Sequence, residues 1–218
     1  MANAHTVAVP HHLNVQTATG IPNGKLGMWV FLASEVMFFT GLIGAYIVLR
    51  LSNPSWPGPE GHLSVPLGTT NTLLLIGSSV TIVLALAASQ SFDKLRIPHE
   101  GIPSGVEGRQ ALPRARGWLL ATILLGSSFL GIKSIEYTAK FSHHIFPSTN
   151  VFWSCYFVLT GFHALHVFGG ILFNFYVLTR TFNPLVWASQ SHRLELAGLY
   201  WHFVDIVWIF LFPLLYLL

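Results

Sequence analysis

The chain alternates between long apolar runs and short polar segments. A transmembrane helix needs about 20 mostly apolar residues to cross a hydrocarbon core of about 30 Å. Five runs reach that length, at about residues 26–49, 70–89, 118–137, 151–179 and 196–217. The segments between them carry helix-breaking residues such as Asn53-Pro54 and Asn183-Pro184. The pattern predicts an all-α polytopic membrane protein, with a polar N-terminal tail at residues 1–25 and a single domain of five transmembrane helices at residues 26–218.

The composition agrees with this prediction. Hydrophobic residues make up 52% of the chain, charged residues make up 9%, and the mean hydropathy is +0.59. Soluble domains carry about 25% charged residues, so a disordered chain is excluded and a water-soluble domain is disfavoured. The single cysteine, Cys155, excludes an intrachain disulfide and a paired-cysteine metal site.

The basic loop residues predict the orientation in the membrane. Loops on the cytoplasmic side of a membrane protein carry an excess of Lys and Arg. Eight basic residues lie on the side of the N-terminus, the second loop and the fourth loop: Lys25, Lys94, Arg96, Arg109, Arg114, Arg116, Arg180 and Arg193. The other side has only Arg50 and Lys140. We therefore expect a cytoplasmic N-terminus and an external C-terminus, and we expect the basic loops to serve orientation rather than nucleic-acid binding.

Glu35 lies near the middle of the first predicted span, among Phe31, Phe38 and Phe39. An ionised carboxylate at that depth costs about 3 kcal/mol on insertion scales. We therefore expect Glu35 to be protonated unless a cation or water is close, and we expect a hydrophobic carbodiimide to label it. The residue is either a proton-handling or gating carboxyl, or a neutral acid that fixes helix packing.

Two polar pairs lie in the last two spans. His163 and His166 share a face of the fourth span, and His202 and Asp205 share a face of the fifth, with Glu195 two turns earlier. Such spacings could gather metal ligands in a bundle, and two facing histidines could hold haem. The alternative is hydrogen bonding between neighbouring helices. We favour the second interpretation and predict no metal site.

Lys133, Glu136 and Lys140 form a charged ladder near the end of the third span. Lys133 lies about one turn deep, so we expect its side chain to extend to the headgroups. The ladder is either an interfacial ion cluster or a contact for anionic lipid or another subunit. We expect the same interfacial or lipid contacts from Arg180 and Arg193, which flank the fourth loop.

Five sequence segments, one on each span, together resemble subunit three of the haem–copper oxidases. They are Ser34-Glu35-Val36-Met37-Phe38-Phe39, Asn71-Thr72 with Ser78-Ser79-Val80-Thr81, Glu136-Tyr137, Thr160-Gly161-Phe162-His163-Ala164-Leu165-His166-Val167 and Tyr200-Trp201-His202-Phe203-Val204-Asp205-Ile206-Val207-Trp208. The resemblance runs in order from about Leu26 to Leu217 and fits the five-helix bacterial forms.

The resemblance implies an accessory subunit without its own haem, copper or catalytic centre. Subunits of this family pack beside catalytic subunit 1, together with subunit 2, in an oxidase that reduces oxygen and pumps protons. They hold phospholipids, support assembly and proton uptake, and protect the complex during turnover. Glu35 matches the family's carbodiimide-reactive acid. Glu136, His163, His166, His202 and Asp205 match its intramembrane polar residues. The expected location is a bacterial plasma membrane or an equivalent energy-coupling membrane.

The electron donor stays open between cytochrome c and quinol. Quinol-oxidising relatives tend to carry Asp in place of Glu35 and to lack Phe162, so the resemblance favours cytochrome c. A related group accompanies nitric oxide reductases. Two other classes are a separate membrane metalloenzyme using His163, His166, His202 and Asp205, and a transporter with Glu35 as its coupling acid.

Overall fold

A computed structural model describes residues 22–58, 63–96, 106–182, 187 and 192–217, with the side chains of residues 91–96 and 106–111 left undescribed. Five long helices contain most of these residues. They are α1 (Asn23–Ser52), α2 (Val65–Arg96), α3 (Val106–Ser142), α4 (Val151–Thr181) and α5 (His192–Phe212), and α5 ends in a π-helical turn at Pro213–Leu217. All five are long and apolar enough to span a membrane, which confirms the predicted all-α bundle. Residues 1–21 of the predicted polar tail lie outside the described residues.

The helices extend beyond the predicted apolar spans. The sequence predicts one loop from about Gln90 to Gly117, but α2 continues to Arg96 and α3 begins at Val106. That prediction was wrong because backbone hydrogen bonding continues past the point where the apolar run ends. Pro113 lies inside α3, near its beginning. The start of α4 is capped, since the side chain of Asn150 accepts a hydrogen bond from the backbone N–H of Trp153.

Helices α2 to α5 form the centre of the bundle, and α1 packs against α4 and α5. Trp201 of α5 is fully buried, and its indole N–H donates to Ser78 Oγ of α2 over 3.0 Å. Its ring also lies against Gly126 of α3 and Gly170 of α4. Without side chains, these two glycines leave the space that the indole fills. One tryptophan thus contacts three other helices.

Contacts at both ends fix α1 in place. At one end, Lys25 Nζ lies 2.5 Å from Glu195 Oε1 of α5. At the other, the Tyr46 hydroxyl donates to the carbonyl oxygen of Leu214 over 3.3 Å. Most apolar side chains on the remaining face of α1 are exposed, including Val30, Met37 and Val48. In a bilayer this face lies against lipid or another chain.

Candidate functional site

Glu35 of α1 is paired with His166 of α4. Glu35 Oε2 lies 2.9 Å from His166 Nε2, and both side chains are less than one-fifth exposed. Phe39 packs edge-on against the imidazole at 5.1 Å, and Phe38 packs against Phe162 at 5.1 Å. The carboxyl of Glu35 therefore has a hydrogen-bond partner and aromatic neighbours. The partner offsets part of the free-energy cost of placing a carboxyl at this depth in the membrane.

The hydrogen bonds of His166 determine how the pair can share protons. His166 Nδ1 lies 2.7 Å from the carbonyl oxygen of Phe162, which can only accept, so Nδ1 carries a proton. Nε2 then either accepts from a protonated Glu35 or, when His166 is charged, donates to an ionised Glu35. Both arrangements place one proton between the two residues and leave the pair neutral overall. In both arrangements the pair carries no net charge inside the helix bundle.

The other predicted polar residues of α4 and α5 have separate partners. His202 Nδ1 lies 2.7 Å from Ser79 Oγ of α2. Asp205 is buried beside the Ser79 hydroxyl, without a well-formed hydrogen bond in the described part of the chain. His163 stacks on Trp208 at 5.1 Å, and neither of its ring nitrogens bonds to a described residue.

These residues do not converge on a metal centre. Within the described ranges, no group of three His, Cys, Asp or Glu side chains is placed to hold a metal ion. His166 pairs with Glu35, while Glu195 pairs with Lys25 at the end of α1. The metalloenzyme alternative needed His163, His166, His202 and Asp205 together, and the structure does not assemble them. His166 and His202 instead make the hydrogen bonds between helices that the sequence favoured.

A second polar site surrounds Glu136. Glu136 Oε2 lies 3.0 Å from Lys133 Nζ, and Oε1 lies 2.7 Å from Lys140 Nζ. All three side chains are at most 5% exposed. The predicted charged ladder is confirmed, but the expectation that Lys133 extends to the headgroups is wrong. Its ammonium group points into the bundle because a carboxylate, two tyrosine hydroxyls and the rings of Tyr156, Tyr216 and Trp208 surround it there.

Tyr156 and Tyr216 fix the direction of the hydrogen bonds in this cluster. Both hydroxyls donate to Glu136 Oε1, over 2.8 and 2.7 Å, and both accept from Lys133 Nζ, over 3.2 and 2.6 Å. Both oxygens of Glu136 act only as acceptors, as expected of an ionised carboxylate. The cluster joins α3, α4 and the C-terminal turn. Sequence reasoning missed the two tyrosines, because an apolar run containing a tyrosine carries no signal of which distant charge its hydroxyl will meet.

Arg180 and Arg193 lie on opposite sides of one loop and pack on the same tyrosine. Their guanidinium carbons lie 4.9 and 5.5 Å from the ring centroid of Tyr176, and Arg193 also donates to its hydroxyl. Arg116 makes a related contact, donating to the carbonyl oxygen of Thr181 over 2.5 Å. The lipid contacts expected of Arg180 and Arg193 stay predictions.

An apolar groove of about 450 Å³ runs between α1 and α5. Its walls are almost entirely apolar, and His202 is the one residue among them that carries an ionisable side chain. They are formed by Leu32, Val36, Phe39, Thr40, Ile43, Leu199, His202, Phe203, Ile206, Val207 and Phe210. The groove lies beside the Glu35–His166 pair, since Phe39 borders both.

Comparison with known protein sequences gives one consistent family for the similar proteins. The sequence profile described as "Cytochrome c oxidase subunit III" matches residues 3–218. The chain is 41% identical to cytochrome c oxidase subunit 3 of Thermostichus vulcanus over 197 residues, covering 88% of this chain and 86% of that protein. It is 38% identical to the subunit 3 of a Synechocystis species over 224 residues, covering 98% and 87%, and 35% identical to that of Corynebacterium diphtheriae over 195 residues, covering 88% and 86%. This chain has five helices suited to span a membrane and matches the profile over nearly its whole length, and it belongs to the cytochrome c oxidase subunit III family.

Proposed function

We propose that this chain is an accessory, cofactor-free subunit of an aerobic respiratory cytochrome c oxidase. In that complex, haem and copper in subunits 1 and 2 carry electrons to oxygen, and subunit 1 pumps protons. The chain itself supports assembly, phospholipid binding, proton uptake and stability during turnover. It resides in a bacterial plasma membrane or an equivalent energy-coupling membrane.

The Glu35–His166 pair is the observation that carries the proposed role. It is a carboxyl–imidazole pair at 2.9 Å inside a membrane helix bundle, and its one shared proton can sit on either member. Ionisable groups inside a membrane are functional candidates by default, because their burial is costly. A pair of this kind holds a proton beside a partner subunit with no net charge in the apolar phase. Release of that proton leaves one negative charge on Glu35, so release must be matched by uptake of another proton.

The groove beside the pair supports the lipid-binding part of the proposal. It is apolar over nearly all of its lining and lies between α1 and α5. An acyl chain would bury apolar surface there. The exposed face of α1 adds a surface on which a partner helix or lipid can pack.

Purification through a tag on this chain in mild detergent tests the proposal. We expect larger partners to copurify and to give a reduced-minus-oxidised haem spectrum and copper, with neither metal in the chain after it is stripped from them. The complex should oxidise reduced cytochrome c. Oxidation of quinol instead would identify a quinol oxidase, and stoichiometric metal kept by the stripped chain would revive the metalloenzyme alternative.

The Glu35→Gln variant tests the role of the pair. Gln can donate its amide N–H to His166 Nε2, so α1 stays docked while the shared proton is lost. We expect early oxygen reduction to stay close to that of the wild type, with weaker proton uptake and faster inactivation during turnover. Immediate and complete loss of oxygen reduction in an assembled complex would contradict a supporting role.

A further inference from the structure

The charges of the Glu136 cluster do not balance. Two lysine ammonium groups face one carboxylate, and all three side chains are at most 5% exposed. A buried charge is stable only when a counter-charge or hydrogen-bond partners replace the lost water. The described part of the cluster therefore carries one positive charge in excess.

The hydrogen bonds place that excess on Lys140. Lys133 Nζ uses all three of its N–H groups, on Glu136 and on the hydroxyls of Tyr156 and Tyr216. Lys140 Nζ donates to a single oxygen among the described residues, Glu136 Oε1. Its other contacts are the ring faces of Tyr156 and Trp153, at 4.8 and 5.7 Å. Lys140 therefore keeps N–H groups that can bind a further acceptor.

Lys140 also borders an open groove between α2 and α3. The groove has a volume of about 290 Å³ and is lined by Ser64, Leu67, Ile135, Glu136, Ala139, Lys140, His143 and Ile145. Ser64 immediately precedes α2 and Leu67 lies in its first turn, which contains no acidic residue. The positive end of that helix therefore faces the same space without a carboxylate of its own helix to balance it.

We infer that this groove is an anion site for a phosphate group, with Lys140 as its charged donor. Lys140 lies two residues before the end of α3, which is one of the helices long and apolar enough to span a membrane. The phosphate can come from a phosphodiester lipid headgroup or from free phosphate, since the donor set recognises the same oxygens in both. The groove would bind it whether or not the chain joins an oxidase, because α2, α3 and Lys140 form it alone.

Binding to the purified full chain tests the site in two arms. The first uses nanodiscs of phosphatidylcholine with a small fraction of spin-labelled phosphatidylglycerol and measures the motionally restricted lipid. The second uses nanodiscs of phosphatidylcholine alone and measures binding of radiolabelled inorganic phosphate. We expect saturable binding in the first arm, weakened at least about tenfold in Lys140→Gln and kept in Lys140→Arg, since a charge-assisted hydrogen bond is lost only in the former. Lys25→Gln, which removes a lysine at the opposite end of the bundle, should bind as the wild type does.

A variant pair in the groove wall covers the case in which Lys140→Gln fails to fold. Leu67 is 40% exposed and takes no part in the Glu136 hydrogen bonds, so a change there leaves the cluster intact. Leu67→Glu should repel the anion, while Leu67→Gln should bind it as the wild type does. The same pattern with inorganic phosphate would also support the site and identify free phosphate as the ligand. Absence of saturable binding in both arms, or equal binding by Leu67→Glu and Leu67→Gln, would overturn the inference.

Discussion

His166 is held between two oxygen atoms, the backbone carbonyl of Phe162 at 2.7 Å and the carboxyl of Glu35 at 2.9 Å. The first contact fixes the proton on Nδ1, so only the second can exchange one. This arrangement makes α1 and α4 dependent on each other inside the membrane. It also separates two effects that mutations can distinguish, namely the hydrogen bond itself and the proton within it.

The hydrogen bond should appear as an energetic coupling between Glu35 and His166. Hydrogen bonds between membrane helices average about 0.6 kcal/mol and reach about 1.7 kcal/mol in double-mutant cycles. We expect Glu35→Leu and His166→Leu to be coupled by about 1 kcal/mol in the free energy of unfolding, measured by titration with a denaturing detergent. Strictly additive effects of the two changes would show that the contact contributes nothing. Glu35→Gln should lose less stability than Glu35→Leu, since it keeps a donor for Nε2.

The proton shared by Glu35 and His166 should be detectable by carbodiimide labelling of Glu35. A hydrophobic carbodiimide reacts with protonated carboxyls in apolar sites, and Glu35 is protonated in one of the two arrangements of the pair. We expect labelling of Glu35 in folded, detergent-solubilised protein, and faster labelling in His166→Leu, because the carboxyl then has no base to take its proton.

Glu136 provides the internal control for that experiment. Its oxygens accept hydrogen bonds from two lysines and two tyrosines, so it should stay unmodified in the same digest. Failure of Glu35 to react, or equal modification of Glu35 and Glu136, would contradict the assignment.

Removing Glu136 should damage the protein more than removing Lys133. Glu136→Gln leaves two buried ammonium groups without a carboxylate, and an uncompensated buried charge costs about 3–5 kcal/mol. Lys133→Met instead leaves a balanced pair of Glu136 and Lys140, and the methionine fills part of the vacated space. We expect a much lower midpoint of thermal unfolding for Glu136→Gln than for Lys133→Met. The unfolding of each variant is measured by the loss of its monodisperse peak in size-exclusion chromatography. The reverse order would contradict the charge distribution described for the cluster.

The packing of Trp201 predicts a strong contrast between two glycines of α3. A Cβ added at Gly126 would lie 2.6 Å from Cη2 of Trp201, so Gly126→Ala must displace a fully buried indole. Overpacking of this kind costs about 1–3 kcal/mol. Gly131→Ala meets no heavy atom within 4 Å and should be neutral or slightly stabilising. Equal midpoints of thermal unfolding for the two variants would show that the indole does not occupy the space beside Gly126.

The sequence determined the membrane class, the number of helices and the family of this protein. Five apolar runs of sufficient length leave few other ways to satisfy the backbone hydrogen bonds in lipid, so the run length alone predicts the helices. Their ends were less accurate at α2 and α3, where charged turns continue the helix beyond the apolar part. The sequence also identified Glu35, Glu136 and the histidines as residues that need partners, because polar groups are costly at that depth.

Only the tertiary structure decided which partners these polar residues have. Glu35 and His166 are 131 positions apart, and Glu136 and Tyr216 are 80 positions apart, so no local spacing could join them. Lys133 shows the same limit: its depth in the span allowed it to extend outward, but two tyrosines from other helices turn it inward. Helix periodicity determines which residues share a face, whereas the rotation and packing of neighbouring helices determine what that face meets.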